Sequence, residues 1–299
     1  MRIGMYDVDS KLPNLALMKL TRYHLNRGDE VRSFDGANPE HHAAFDKVYA
    51  SKVFTFSPAP YLHSSMVIGG TGWGMDMVLA DSAETLAPSY RLYPDFRGNI
   101  GFTMRGCRLA CDFCVVPDKE GLPYSTNSVS DLLINDSDFL ILLDNDPFGN
   151  PQWRDVCAEI TDRKIKVNFS QGFNIRNLKP EQAAALAGVD FRNTKNTRKQ
   201  ATFAWDNVRD EKAVMRGLDM LKDAGIKPYR LQCFVLIGYD SAPDEDLYRV
   251  NTLLDQGVDP FAMPYNKADP YQKAFTRWVN GRLCRSTPWP EYKTGVWNK

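Results

Sequence analysis

The chain has 299 residues, 43% hydrophobic and 25% charged, with lysine plus arginine matching aspartate plus glutamate at 37 each. This is a globular composition, long enough for one large core or two smaller ones, and it excludes a disordered chain. Zero net charge removes any global electrostatic drive towards nucleic acid or an anionic membrane.

The first residues read strand, helix, strand. Arg2 to Tyr6 is short and apolar, Leu15 to Leu25 carries apolar residues at helical spacing, and Gly28 precedes a strand from Glu30 to Phe34. That order opens a doubly wound, Rossmann-like α/β domain. Further short strands are expected at Lys47 to Tyr49, Val53 to Phe56 and Met66 to Ile68, the last running into the loop Gly69 to Gly74, GGTGWG. A glycine loop after a strand suits the close approach of a phosphate or a ring, and glycine turns without a ligand are also common. This first domain is expected to span residues 1–95.

After Tyr93-Pro94-Asp95, strands alternate with helices. Strands are expected at Ile100 to Met104, Asp138 to Leu143, Lys166 to Phe169, Ala201 to Trp205, Leu231 to Ile237 and Phe261 to Met263. Helices fall around Trp153 to Asp162, Pro180 to Leu186, Arg209 to Ala224 and Asp244 to Gln256. Six strand-helix repeats predict a partial, TIM-like (β/α)6 barrel over residues 96–299, ending in a helical extension with basic and aromatic residues. From Lys267 to the end there are seven basic residues against Asp269 and Glu291, with Trp278, Trp289, Tyr292 and Trp297 among them. A second basic run, Arg192 to Lys199, contains no acid. Such interleaving can grip a polynucleotide; a solvated face and an amphipathic last helix are the plainer reading.

The most informative stretch is Gly106-Cys107-Arg108-Leu109-Ala110-Cys111-Asp112-Phe113-Cys114, a CxxxCxxC spacing after an apolar run. Three thiolates this close can hold one metal centre, and no fourth ligand is nearby: Cys157, Cys233 and Cys284 lie far apart, and the histidines, His24, His41, His42 and His63, all lie upstream. Zinc normally closes its tetrahedron with a fourth protein ligand, whereas an iron-sulfur cube can leave one iron free. Three clustered cysteines out of six fit metal binding in a reducing compartment better than a disulfide framework.

GFTMRGCRLACDFCVVP resembles the first strand and cluster loop of the radical S-adenosylmethionine superfamily, including the aromatic Phe113 before the last cysteine. The resemblance implies a [4Fe-4S] cluster on Cys107, Cys111 and Cys114 whose free iron chelates S-adenosylmethionine, reduced by a flavodoxin or ferredoxin. It extends over about two thirds of the chain. Asp144 and Asn145 stand where the superfamily meets the amino group of S-adenosylmethionine, although the usual glycines are absent. Gln171, Asn174 and Arg176 follow the third strand, Arg176 suiting the methionine carboxylate. Asp206 suits the ribose hydroxyls, or caps the following helix. Ile237 and Gly238 fall in a GxIxGxxE-like element that cradles adenine, its first glycine replaced by Val235, and Met263 belongs to an apolar wall.

No histidine occurs after Ser64, which favours hydrogen-atom abstraction over acid-base chemistry. Cys233, Tyr265 and Asp146 are the candidates to quench a radical or move a proton.

The front domain faintly resembles the cobalamin-binding domain that precedes many such barrels: Gly69-Gly70 fits its second element, while the loop Asp7-Val8-Asp9-Ser10 lacks the histidine of its first. The whole chain is most similar to members with a degenerate front domain of this kind, a group associated with phages and mobile elements. That association implies a nucleobase, free or in nucleic acid, as substrate. A cobalamin-dependent methyltransferase and a non-catalytic zinc or nucleic-acid-binding protein are the alternatives. No apolar run is long enough to span a membrane, and MRIGMYDVD lacks the features of a signal peptide, so a cytoplasmic protein with no membrane partner is expected.

Overall fold

The structure is a computed structural model that describes residues 1–36, 38–58 and 60–292. The end of the basic tail, including Trp297, lies outside the described residues. The chain is α/β, and it divides into two compact units: residues 1–101 with 130–138, and residues 102–129 with 139–299.

The first unit contains β1 (Arg2–Asp7), α1 (Leu15–Asn26), β2 (Glu30–Ser33), β3 (Lys47–Ser51), β4 (Val67–Gly69), α2 (Asp81–Glu84) and β5 (Asn99–Gly101). The first four strands pair in parallel in the order β2-β1-β3-β4. Ile3, Met5, Leu17 and Val31 form one core cluster, and Phe34, Val48 and Met66 another. Alternation in β1 puts Ile3 and Met5 on the face that α1 covers with Leu17. Asn14 caps α1 by accepting from the Leu17 amide, and its buried carboxamide donates to Ser10 and Ser51 at 3.0 Å.

The strand expected at Val53 to Phe56 is instead a loop, because the Val53 and Phe54 amides donate to the Asp9 carboxylate at 2.7 and 3.0 Å rather than to a neighbouring strand. The glycine loop folds onto Lys52: the Gly72 amide donates to the Lys52 carbonyl, and the buried Lys52 ammonium sits over the Trp73 ring. Asparagine ties the returning segment to this unit. Asn99 Oδ1 accepts from the amides of Ile134 and Asn135 at 2.9 and 2.8 Å.

The second unit begins with β6 (Met104–Arg105), α3 (Val116–Glu120) and β7 (Tyr124–Ser125), β6 and β7 forming a short antiparallel pair. The next helix, α4 (Val129–Leu132), belongs almost wholly to the first unit's segment 130–138, and from Phe139 strands and helices alternate: β8 (Phe139–Leu142), α5 (Trp153–Asp162), β9 (Lys166–Phe169), α6 (Pro180–Gly188), β10 (Asp190–Phe191), β11 (Ala201–Ala204), α7 (Glu211–Asp223), β12 (Leu231–Ile237), α8 (Pro243–Asp255), β13 (Asp259–Pro264) and α9 (Pro270–Asn280). Strands β8, β9 and β10 pair in parallel, as do β11, β12 and β13. A parallel bridge between Phe173 and Phe203 brings the ends of β9 and β11 together. Among the described residues the strands do not close into a barrel. Connections of one helix per strand pair are what parallel pairing requires.

The strand expected from Ile100 to Met104 is broken, since the amides of Thr103 and Met104 turn to the Asp144 carboxylate. The aromatics of α9 and the segment after it belong to the core: Trp278 and Trp289 are buried and pack against Phe275, so neither offers a face for stacking bases. The run Arg192 to Lys199 is largely neutralised, with Arg192 and Lys199 paired to Asp190 and Arg198 to Asp259. Among the described residues no helix is long and apolar enough to cross a membrane.

Candidate functional site

The cysteine loop is held by its flanks. Gly106 has φ +76°, and a Cβ there would lie 2.2 Å from the Leu122 carbonyl oxygen, so only glycine allows the chain to turn into Cys107. Glu120 gathers the two sides: it accepts from the Gly106 amide and the Asn145 carboxamide, both at 2.9 Å, and pairs with Arg105 at 2.8 Å. Arg108, inside the CxxxC spacing, donates to the buried Asp146 carboxylate at 2.7 Å, and Asp146 also accepts from the Asn174 amide at 3.1 Å. One carboxylate thus joins the cysteine loop to the residues that follow β8 and β9.

All six cysteines are free thiols. Cys107, Cys111 and Cys114 are half-buried and near enough to one another to interact electrostatically. Burial pushes the Cys107 thiol up, and the charges of Asp146, Cys111 and Cys114 push it further. Burial also raises Cys111, opposed by the Arg176 guanidinium that hydrogen-bonds it. Among the described residues, no group of three or more histidine, cysteine or acidic side chains is placed to hold a metal ion. The donor chemistry nevertheless fits a thiolate-bound cluster: three free thiols on one loop, opposed by cationic Arg176, and no histidine in the loop.

Residues after β8, β9, β11 and β12 come to this loop. Arg176 pairs with Asp210 at 2.8 Å and meets Cys111. Asp206 lies within electrostatic reach of both Arg176 and Cys111. Burial lifts its carboxyl to about 6, with Arg176 and Arg249 restraining the rise. Phe113 meets the edge of Tyr239 at 5.4 Å between centroids, and Tyr239 leans on the exposed Tyr265 at 4.8 Å. Gly238 has φ +72°, and a Cβ there would run into the Gln272 side chain. Gln171 and Met263 are exposed.

No family model and no curated protein matches this chain.

Several candidates have other tasks. Asp144 is 1% exposed and already saturated by the Thr103 amide at 2.8 Å, the Thr103 hydroxyl and the Met104 amide, so it holds the loop entrance rather than an ammonium ligand. Asp146 is committed to Arg108 and the Asn174 amide and so serves to hold the loop. Asn174 spends its side-chain oxygen capping the turn at Asn177. Cys233 is fully buried in β12, where desolvation pushes its thiol up, and it behaves as a small apolar core residue. The Ile237 side chain is also fully buried; what it offers outward is its carbonyl, bonded to the Tyr265 amide at 3.1 Å. Arg105, Arg108 and Glu120, which set the loop's shape, went unrecognised because no motif marks a salt bridge before the fold is known.

Proposed function

We propose that this chain is a radical S-adenosylmethionine enzyme. The observation that carries this is the convergence of a three-thiol loop with Asn145, Arg176, Asp206 and Tyr239, which follow the parallel strands β8, β9, β11 and β12. Sites at the carboxyl ends of strands are the rule in barrel enzymes, and the Phe173 to Phe203 bridge supports reading β8, β9, β11, β12 and β13 as part of an open, TIM-like barrel behind a Rossmann-like front domain.

Cys107, Cys111 and Cys114 would hold a [4Fe-4S] cluster. Bound there, the cluster supplies the electron that splits the sulfonium of S-adenosylmethionine into methionine and a 5′-deoxyadenosyl radical.

The chain's own residues position the co-substrate. Arg176 carries the positive charge nearest Cys111 and suits the methionine carboxylate. Among the described residues only the side-chain nitrogen of Asn145 is used, which leaves its side-chain oxygen for the amino-group role that Asp144 cannot fill. Asp206 suits a ribose hydroxyl, and the left-handed turn at Gly238 with the Tyr239 and Tyr265 rings suits adenine. A nucleobase is the proposed substrate, a flavodoxin or ferredoxin the proposed electron donor, and the cytoplasm the compartment that would keep the thiols reduced.

Anaerobic reconstitution with iron and sulfide should load about four of each per chain, and Cys111→Ala should abolish loading. Zinc without sulfide would instead support a structural clip.

A further inference from the structure

Strands β9, β11 and β12 carry two chemically different faces. Val167, Ala201, Phe203, Leu231 and Val235 are apolar and buried. The alternate positions bear Asn168, Ser170, Gln200, Thr202, Gln232 and Phe234, and these line a cavity of about 190 Å³. Polar groups lining a cavity ordinarily find partners within the protein. Asn168 does, donating to the Arg192 carbonyl at 2.7 Å and accepting from Thr194 at 3.3 Å. The Ser170 hydroxyl is buried with no partner, and among the described residues none hydrogen-bonds the carboxamides of Gln200 and Gln232. The latter are neighbours, because Gln232 lies opposite Thr202 in the β11 to β12 register.

We propose that this cavity receives the base of a nucleotide, and that the base is the substrate class of the reaction proposed above. A carboxamide presents one donor and one acceptor side by side, the pattern that reads a base edge bidentately. Phe234 adds an aromatic face of the kind on which bases stack. No carboxylate lines the cavity, which disfavours a cationic ligand or a sugar held by acids, and Lys195 is the single charged lining residue. The volume is below the ~300 Å³ of sites for drug-sized molecules, so it suits one ring system, with sugar and phosphate outside near the exposed Lys195. The base can come from a free nucleotide or, flipped out, from a polynucleotide.

The inference rests on the radical reading only for the fate of the base; binding needs no cleavage of S-adenosylmethionine. The test is calorimetric titration of the full-length chain with the common nucleoside 5′-monophosphates, with ribose 5-phosphate, and with single-stranded oligonucleotides of mixed sequence, intact or fully abasic. Base-dependent binding is expected, weakened at least tenfold by Gln232→Leu and by Gln200→Leu, with Gln232→Glu as a volume-conserving check should either variant fold poorly. Binding of mononucleotides assigns the site to free nucleotides; binding of the intact oligonucleotide alone assigns it to a polynucleotide. No binding in any arm, equal binding of ribose 5-phosphate or the abasic oligonucleotide, or binding undiminished in well-folded variants overturns the proposal. Base binding without cleavage of S-adenosylmethionine would defeat the radical reading and leave this site standing; cleavage without base binding would do the reverse.

Discussion

Replacing Asp146 by alanine should loosen the cysteine loop and lower the stability of the chain together. The Asp146 side chain is 2% exposed; it receives Arg108 Nε at 2.7 Å and the Asn174 amide at 3.1 Å. Without the carboxylate, Arg108 keeps a positive charge in a site where its Nη2 is already buried without a partner. Breaking a fully buried pair costs about 3–5 kcal/mol. Arg108 is 25% exposed and can turn partly to water, which places the cost near the lower end, about 3 kcal/mol. At roughly 2–4 °C per kcal/mol for a unit of this size, the melting temperature should fall by about 6–12 °C. Iron loading should fall in parallel, since Arg108 lies between Cys107 and Cys111. Thermal scans of the cluster-free protein and iron assays after reconstitution measure both. A shift under about 2 °C with normal iron loading would refute the clamp.

Three further outcomes follow from the same contacts. Burial lifts Asp144 to about 6 from 3.8, so the native state binds a proton more tightly than the unfolded chain, and this group's contribution to stability declines as pH rises from about 4 to 6. Asp144→Asn can keep both backbone amide bonds on its carbonyl oxygen and donate to the Thr103 hydroxyl in place of accepting from it, all with a neutral group, so the difference in melting temperature between variant and parent should grow in the variant's favour across that window; a constant difference would exclude the assignment. Arg249, fully buried, donates to Asp246, the Trp205 carbonyl and the Leu236 carbonyl, and Arg249→Ala should cost about 3–5 kcal/mol in denaturant titrations. Cys284→Ala should leave iron and sulfide content unchanged, because Cys284 bonds the Val279 carbonyl and takes no part in the loop; a loss of iron would place it among the ligands.

The parallel strands were the most legible part of the fold. Lys166–Phe169 and Leu231–Ile237 are buried strands that read as short apolar runs, and the helices that follow each of them, α6 and α8, start at prolines and carry apolar residues at helical spacing. Val53 to Phe56 shows the limit of that signal: an apolar run becomes a loop when a carboxylate distant in sequence, Asp9, takes its amides. The two-residue strands β6, β7 and β10 are too short to carry a period.

In the site, the cysteines were readable because their spacing is local. The roles of Asp144 and Asp146 were not, since a carboxylate's role depends on donors some 40 residues away, Thr103 and Arg108. The polar wall of Gln200 and Gln232 was likewise hidden; two lone glutamines become a site only when β11 and β12 pair.

The most direct test of the central claim is the yield of 5′-deoxyadenosine from the anaerobically reconstituted chain given dithionite and S-adenosylmethionine. The account predicts methionine and 5′-deoxyadenosine in equal amounts from the parent chain and none from Cys111→Ala. A chain with a full complement of iron and sulfide that leaves S-adenosylmethionine intact would contradict it.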